Sequence, residues 1–415
     1  MLVGGMAPAV LYISYDGILE PLGESQVVNY LEGLSTDHAI TLLSFEKPAD
    51  LAATLRVSAM RRRLTARNIG WIPLTYHKNP PVLSTAFDAV RGIVAARRAC
   101  RRRSVAIVHA RSYVPALIAL GARSASRAAF LFDIRGFWVD EKVEAGHWTP
   151  HGLLYRAGKW WERRLYAAAD AIVSLTSAGA KAIPQLGVHV SPAVPIEVIP
   201  TCADLQRFTP GPKDPELLER LGLGDGVIIG CVGTMGNWYM RQEMLDALAS
   251  LARTMEDLQI LLVTRDDQNS LRRDAEAAGV PRDRLVIAQA AFDDMPRHIR
   301  LFDAGLFFIK PSFSKRASAA TKMAEFLGCG VPIIINDGFG DSGAIVRHGR
   351  VGMVLPSLTQ ATFRAMLPDV RSVIADRAMR ERCREVAKAV FDLEAGVERY
   401  RRLYHDLCTR RQVRV

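Results

Sequence analysis

The sequence predicts an α/β protein made of two doubly wound domains in tandem, with a ligand-binding cleft between them. The first observation is length, because 415 residues are too many for one ordinary core. The second is an alternation of short apolar runs with helix-length stretches, which is typical of βαβ units and a parallel sheet. The third is a Pro- and Gly-rich segment, FTPGPKDPE at 208–216, after which the alternation starts again.

The first half of the chain supplies the first predicted domain, residues 1–205. Apolar runs predict strands at 9–15, 39–45, 69–74, 105–110, 128–134 and 167–176, and EVIPTCAD at 197–204 closes the series. Helices are predicted at 25–35, 52–66 and 84–102. Because ligands bind at the carboxyl ends of parallel strands, the loops that follow these strands are the first place to look for a site.

The second half repeats the pattern and supplies the second predicted domain, residues 206–390. Strands are predicted at 226–233, 258–264, 284–289, 304–310, 331–336 and 352–356. Helices are predicted at 241–254, 270–278, 294–302, 321–328, 360–374, 377–391 and 393–410. Residues 391–415 are expected to form a C-terminal helix that packs back on the first domain.

Composition excludes several classes of protein. The chain is 49% hydrophobic and 23% charged, as in soluble globular proteins. Its six cysteines are scattered without a CxxC pair, which disfavours a zinc site or a disulfide framework and fits a reducing cytosol. The apolar runs are far shorter than the ~20 residues of a membrane span, and MLVGGMAPAV does not resemble a signal peptide. We therefore expect a cytoplasmic protein that contacts membranes only peripherally.

The net charge of +11 is concentrated in one segment. Residues 51–103 hold twelve basic residues and one acid, Asp88, an excess equal to that of the whole chain. This segment is either a solvated pair of basic helices or a surface that binds the anionic inner face of the cell membrane. Nucleic acid is disfavoured as a partner, because few aromatic residues interleave the arginines and no groove-reading motif is present.

Four motifs resemble those of the group 1 glycosyltransferases, the retaining GT-B superfamily. They are VIPTCADLQRF (198–208), IIGCVGTMGNWYMRQEMLDAL (228–248), KPSFSKRASAATKMAEFLGCGVPIIIN (310–336) and LYISYDGILEPLGESQVVNYLEGL (11–34). The resemblance covers essentially the whole chain and is closest to bacterial members that build surface polysaccharides on lipid carriers. It implies the GT-B fold, in which two Rossmann-like domains face a central cleft.

This resemblance also implies an activity. The expected enzyme moves a hexosyl-type sugar from a nucleotide-sugar donor to a glycan or lipid-linked acceptor with retention of configuration, in cell-surface polysaccharide biosynthesis. No cofactor or metal is expected, and no DxD sits in a suitable loop, since Asp293–Asp294 only precedes a predicted helix. A sugar-nucleotide epimerase of the same fold and a catalytically degenerate partner subunit are the alternatives.

The predicted donor site centres on a helix that starts at Thr321. The N–H groups of a helix N-terminus suit a diphosphate, and Lys322 adds a positive charge in the first turn. The family motif implies that Glu325 accepts hydrogen bonds from the ribose hydroxyls, with Ser318 and Thr321 also in the donor site. The alternative is a surface helix with a Lys322–Glu325 pair.

One position departs from the commonest form of the family motif. That form carries a second glutamate eight residues before the one at Glu325, where this chain has Ala317. The carboxylate that usually lies near the donor sugar is therefore absent or supplied elsewhere. The sequence marks the chain as a variant of the S-x-x-T-K type.

A small-residue turn is expected to complete the phosphate site. Gly233, Thr234 and Gly236 follow a predicted strand, where small residues let the backbone approach a phosphate. Arg241 is expected to reach the same diphosphate and, with Lys322, to stabilise the leaving group. An ordinary strand-to-helix turn would have the same sequence.

Residues of the first domain are predicted to serve the acceptor or the transferred sugar. Gly23 resembles the family's glycine loop, although a plain helix cap is the alternative. Asp16 follows the first strand, and DIRGFW at 133–138 supplies Asp133 and Arg135. For these last two, a structural ion pair is the alternative. His109 is interpreted as a core histidine rather than as a ligand.

Overall fold

The computed structural model describes residues 7–123, 127–236 and 238–413. The chain divides into two compact units. The first unit holds the described residues up to Pro200, the short segment Arg316–Ser318 and the C-terminal helix from Leu393. The second unit holds Thr201–Lys315 and Ala319–Asp392.

The first unit is built on a seven-stranded parallel sheet. Its strands are β1 (Ala9–Ser14), β2 (Ala39–Glu46), β3 (Gly70–Thr75), β4 (Ile107–Arg111), β5 (Ala129–Ile134), β6 (Ala171–Ser174) and β7 (Ile196–Val198). They are arranged in the order β3-β2-β1-β4-β5-β6-β7. The direction of winding reverses between β1 and β4, so the loops after these two strands flank the position where such sheets bind ligands.

Helices cover both faces of this sheet. They are α1 (Pro21–Gly23), α2 (Asn29–Leu34), α3 (Pro48–Ala52), α4 (Thr54–Ala66), α5 (Pro81–Arg103), α6 (Tyr113–Ala122), α7 (Trp138–Glu144), α8 (Leu153–Ala168) and α9 (Ser177–Ala182). Right-handed crossovers place α2 and α4 on one face, and α5, α6 and α8 on the other. On the second face α6 contacts both α5 and α8.

The second unit is built on a six-stranded parallel sheet. Its strands are β8 (Val227–Val232), β9 (Leu258–Val263), β10 (Leu285–Ala288), β11 (Ala304–Phe307), β12 (Ile333–Asn336) and β13 (Gly352–Leu355). Their order is β10-β9-β8-β11-β12-β13, with the reversal between β8 and β11. Most strand residues are buried, and those of β11 and β12 entirely so, as expected for a parallel sheet that is covered on both faces.

The remaining helices are those of the second unit and, after them, one helix of the first unit. They are α10 (Pro215–Leu221), α11 (Arg241–Ala252), α12 (Gln268–Ala277), α13 (Met295–Ile299), α14 (Thr321–Gly328), α15 (Ser342–Gly349), α16 (Gln360–Ala365), α17 (Leu367–Ala375), α18 (Met379–Phe391) and α19 (Leu393–Val413). The last of these, α19, belongs to the first unit and packs against α2. No helix among the described residues is long and apolar enough to cross a membrane.

Several helices were not predicted from the sequence, among them α3, α6, α7, α8, α9, α10 and α15, and three predicted elements differ in length or form. The strand predicted at 167–176 is shorter, because its first two alanines complete α8, a helix that the sequence did not predict. The helix predicted at 25–35 starts with a π-helical turn at Glu24–Val28. The helix predicted at 360–374 is divided near Met366, and Pro368 stands in the first turn of its second part, where proline is tolerated.

Candidate functional site

The N-terminus of α14 is open. Its first residue is Thr321, and the residue before it, Ala320, has no side chain that could accept a hydrogen bond from the helix. Among the residues that the structure describes, no acceptor is found for the backbone N–H groups of Thr321 and Lys322. Unpaired amides and the helix dipole together make this end of α14 suited to an anion.

Lys322 places a second positive charge at the same helix end. Its side chain is buried, and its ammonium lies 3.7 Å from the centre of the Tyr239 ring and 3.5 Å from Cys231 Sγ. Burial opposes the charge, but the thiol and the phenol ring outweigh it, so the pKa of Lys322 lies above its ordinary value. The side chain is therefore a cation at neutral pH.

The turn after β8 lies beside that ammonium. Gly233 has a φ of +82°, a conformation that favours glycine. A Cβ at this position would lie 3.6 Å from Lys322 Nζ. The predicted turn and the predicted cation are thus neighbours, and the absent side chain leaves the backbone of Gly233 accessible beside the lysine.

Glu325 follows one turn later on α14 and has an unusual environment. Its side chain is partly accessible, and within the described part of the chain its carboxylate has no hydrogen-bond partner and forms no ion pair with Lys322. Desolvation by the surrounding protein raises the pKa of Glu325 to about 7, while the charges of Lys322 and Arg207 act in the opposite direction. Unpaired acids with raised pKa values are typical of functional sites.

Asp266 organises the loop that leads from Gly233 to α11. Its carboxylate accepts hydrogen bonds from Thr234 Oγ1 at 2.9 Å and from the Met235 amide at 2.8 Å. The guanidinium of Arg241 pairs with Asp274 at 2.9 Å and, more distantly, with Asp266 at 3.5 Å. Arg241 therefore stands in this loop region with two carboxylate partners.

Two contacts in this region were missed by the sequence reasoning. The guanidinium of Arg207 lies 4.1 Å from the centre of the Phe292 ring and pairs with Asp293 at 2.8 Å. The buried ammonium of Lys315 lies 3.8 Å from the centre of the Trp238 ring. Because Arg207 belongs to the VIPTCADLQRF motif, the sequence could have indicated it as a site residue. Nothing in the sequence predicts the contact of Lys315 with Trp238.

The segment that carries Ala317 and Ser318 groups with the first unit. Ala317 is fully buried, and its Cα and Cβ lie 2.7 Å from the place where Gly179 would carry a Cβ. An acid at this fully buried position would have to displace its neighbours. Ser318 Oγ lies 3.3 Å from the corresponding position on Gly136.

The glycine loop of the first unit is tightly packed. A Cβ on Gly23 would lie 2.0 Å from the carbonyl oxygen of Gly17, so only glycine fits. Buried Glu46 holds the loop by accepting hydrogen bonds from the amides of Ile18 and Leu19 at 3.0 and 3.2 Å. Its burial raises the pKa of the Glu46 carboxyl.

Two predicted acids of the first unit have arginine partners. Asp16, which is half-exposed, pairs with buried Arg111 at the end of β4. Asp133 is 1% exposed and lies 3.4 Å from Arg135 Nη1, and it also accepts a hydrogen bond from Tyr400 of α19 at 3.1 Å. Burial opposes the charge on Asp133, but Arg135 and His109 outweigh it, so the pKa of Asp133 is lowered.

His109 is a buried member of the same network. Its Nδ1 lies 2.7 Å from the Tyr404 hydroxyl and its Nε2 lies 3.4 Å from Asp133, while its ring packs on Tyr12. Burial is the main reason that the pKa of His109 is lowered, so the ring is neutral at physiological pH. The sequence interpretation of a satisfied core histidine agrees with this geometry.

Within residues 7–123, 127–236 and 238–413, no group of three or more His, Cys, Asp or Glu side chains is arranged to hold a metal ion.

Two protein-family models match the chain in succession. A glycosyl transferase 4-like domain matches residues 25–202, and the model of glycosyl transferases group 1 matches residues 226–368. The first match covers strands β2 to β7 of the first sheet, and the second covers strands β8 to β13 of the second sheet. The chain therefore belongs to the group 1 glycosyltransferases of the GT-B fold.

A curated relative and two solved structures agree with that assignment. A GDP-mannose-dependent alpha-(1-6)-phosphatidylinositol monomannoside mannosyltransferase of Mycolicibacterium smegmatis is 25% identical over 171 residues, which are 40% of this chain and only 44% of that protein. A glycosyltransferase from Rickettsia africae has a TM-score of 0.72 at 15% identity, over 97% of this chain and 99% of its own. Anabaena HepE in complex with UDP and glucose has a TM-score of 0.70 at 15% identity, over 94% and 97%.

Proposed function

We propose that this glycosyltransferase takes a hexosyl-type sugar from a nucleotide-sugar donor and transfers it, with retention of configuration, to a glycan or lipid-linked acceptor in cell-surface polysaccharide synthesis. The observation that carries the proposal is Glu325, a carboxylate without a hydrogen-bond partner among the described residues, one turn from an open helix N-terminus. Two ribose hydroxyls would supply the donors that this carboxylate lacks.

The diphosphate of the donor is proposed to bind around the start of α14. Lys322, the amides of Thr321 and Lys322, and the open turn at Gly233 would neutralise and orient it. Arg241 is proposed to act on the same diphosphate, and Thr234 and Ser318 to line the donor site. Arg241 already has two carboxylate partners, so contact with the donor requires it to share or exchange one of them.

The acceptor is proposed to use the first unit. Gly23 would let the loop approach the donor phosphates, and Asp16 and Arg135 would contact the acceptor or the sugar. Because Asp133 is buried against Arg135, its proposed contribution is to hold that guanidinium in place. No metal is proposed, since cations and helix amides supply the positive charge.

The choice of donors to test follows from the relatives. The mycobacterial relative is named for GDP-mannose, and HepE was crystallised with UDP and glucose. The test is thermal stabilisation by a panel of UDP-, GDP- and dTDP-sugars, since a ligand that binds the native state raises its apparent stability. The best donor is then incubated with glycan and lipid-linked acceptors, and the products and their anomeric configuration are determined.

Three outcomes separate the proposal from its alternatives. Transfer to an acceptor with release of nucleoside diphosphate supports a transferase. Conversion of the donor alone, without acceptor, would identify an epimerase instead. Failure of every donor to stabilise the protein would leave only the degenerate partner subunit and would contradict the proposed donor site.

A further inference from the structure

Helix α5 exposes an apolar stripe. Leu83, Phe87, Val90 and Val94 are spaced four, three and four residues apart, so they share one side of the helix. Leu83 is 71% exposed, Phe87 54% and Val90 60%, values far from those of a packed helix face. Arg91 lies over the Phe87 ring at 5.5 Å, so positive charge stands beside the stripe.

Helix α8 exposes a second group of apolar residues. Leu153 is 82% exposed, and Trp160 and Trp161 are also exposed and packed against each other with ring centroids 4.7 Å apart. Arg164 covers Trp160 at 4.0 Å. Tryptophan pairs with adjacent arginines are suited to the boundary between water and a bilayer, where one part of the ring is wet and the other apolar.

On both helices the acidic side chain is buried rather than exposed. The single acid of α5, Asp88, is fully buried and accepts hydrogen bonds from Tyr15 and His77. The single acid of α8, Glu162, is fully buried against Lys159 and Tyr113. The exposed charges of the two helices are therefore arginines alone: Arg97, Arg98, Arg101, Arg102 and Arg103 on α5, and Arg156, Arg163 and Arg164 on α8.

The two helices lie on the same face of the first sheet, with α6 between them. The basic segment 51–103 is thereby divided, because α4 lies on the opposite face. On α4, Arg63 is held by Glu24 and Glu32, and Arg56 pairs with Asp50. The α5 part of the segment combines exposed arginines with the four exposed apolar side chains of the stripe, whereas α4 exposes one large apolar side chain, Leu55.

We propose that the outer face of α5 and α8 docks onto an anionic lipid bilayer, with Leu83, Phe87, Leu153 and the Trp160–Trp161 pair inserted at the headgroup level. Arginine-rich, acid-free helix surfaces with exposed aromatic residues match the chemistry of such an interface. The occupant is a lipid surface rather than a second copy of this chain, because two copies of an all-positive face repel each other. Its link to catalysis rests on the proposed function: the docked enzyme would lie at the membrane that holds a lipid-linked acceptor.

The test uses the full chain and vesicles without donor or acceptor, so its failure is distinguishable from failure of the transferase proposal. Flotation is measured with phosphatidylcholine vesicles and with vesicles in which about a third of the lipid is phosphatidylglycerol, at low and at high salt. The expected result is binding to the anionic vesicles that salt weakens, and little binding to the neutral ones.

Two sets of variants separate insertion from charge. Leu83→Ser with Phe87→Ser, and Trp160→Ser with Trp161→Ser, should each reduce the partition coefficient about tenfold or more. Arg98→Gln, Arg101→Gln and Arg102→Gln should each reduce it about fivefold, and only on anionic vesicles. The matched control is Leu55→Ser on α4, an exposed leucine on the opposite face, which should leave binding unchanged.

Two results would overturn the proposal. Absence of binding to anionic vesicles at low salt is one. The other is a change from dimer to monomer on Leu83→Ser with Phe87→Ser, measured by light scattering without lipid, because this would make the face a contact between copies of the chain.

Discussion

Glu325 and Asp133 are both predicted site carboxylates, and both lie beside positive side chains, yet their environments are opposite. Asp133 is fully buried and holds bonds to Arg135 and Tyr400, which together with His109 lower its pKa. Glu325 is partly accessible, lacks a hydrogen-bond partner among the described residues, and has its pKa raised to about 7. One carboxylate is satisfied within the protein, and the other is left for something else to satisfy.

The two carboxylates serve the protein in different ways. A buried, paired carboxylate stabilises the fold and fixes its partner's position. A desolvated, unpaired carboxylate destabilises the fold and is retained where binding needs it. Substitution of each acid by its amide should therefore change stability in opposite directions.

The largest effect on stability is expected from Asp133→Asn. Loss of the carboxylate leaves Arg135 buried without its charge partner, which should lower the free energy of unfolding by about 3–5 kcal/mol. Because the pKa of Asp133 is lowered in the fold, this loss should be full above about pH 4 and shrink as the pH falls further. Chemical denaturation at several pH values measures it, with exposed Asp369→Asn as control; equal stability of the two variants would contradict the pairing.

Substitution of Lys322 should act on catalysis instead. Lys322→Met keeps the size of a buried side chain and removes the charge beside the Gly233 turn. We expect kcat to fall by about 10²–10³ with the best donor, because the leaving diphosphate loses a preorganised cation. Steady-state kinetics measure this, and exposed Lys388→Met is the control. A variant as active as the wild type would exclude Lys322 from the site.

Glu325→Gln should stabilise the free protein, in contrast to Asp133→Asn. Above about pH 7 the native state holds an ionised carboxylate in a desolvated position, so its removal should add about 2 kcal/mol, allowing for partial hydration. At about pH 4 the carboxyl is protonated in both states and the gain should vanish. Denaturation of Glu325→Gln and of exposed Glu385→Gln across this range tests the sign, and a destabilised Glu325→Gln would refute the unpaired carboxylate.

The smallest effect distinguishes two roles of Arg241. If Arg241 contacts the diphosphate, Arg241→Gln should weaken binding of a nucleoside diphosphate about tenfold while the nucleoside itself binds as before. Asp274→Asn, which removes a partner but keeps the guanidinium, should not weaken diphosphate binding. Calorimetric titration of both variants with nucleoside and with nucleoside diphosphate measures these affinities. If Arg241→Gln weakens the binding of both ligands equally, Arg241 supports the structure of the loop instead.

The strands of both sheets could be predicted from the sequence. Parallel strands buried on both faces are continuous apolar runs, and these runs marked the two sheets. Helix α8 was missed because its composition is inverted: Lys159 and Glu162 are buried, whereas Leu153 and Trp160 are exposed. A search for an apolar stripe cannot recognise a helix whose inner side carries an ion pair.

The candidate site was predictable only in part. Glu325, Lys322 and Gly233 came from family motifs, and the structure brings the last two together. The tyrosines that contact Asp133 and His109 come from α19, more than 250 residues further along the chain, and no local pattern encodes such contacts. The stacking of Arg207 on Phe292 is hidden from the sequence for the same reason.

The most direct test of the donor site is the affinity of wild-type protein and Glu325→Gln for the best nucleotide sugar at about pH 6 and about pH 8, either side of the Glu325 pKa of about 7. Wild-type protein should bind several-fold more tightly at the higher pH, where the carboxylate is ionised and accepts both ribose hydroxyls. Glu325→Gln should bind about 10²-fold more weakly at the higher pH and lose this pH dependence. Equal affinities and equal pH profiles for the two proteins would contradict the assignment of Glu325 to the donor.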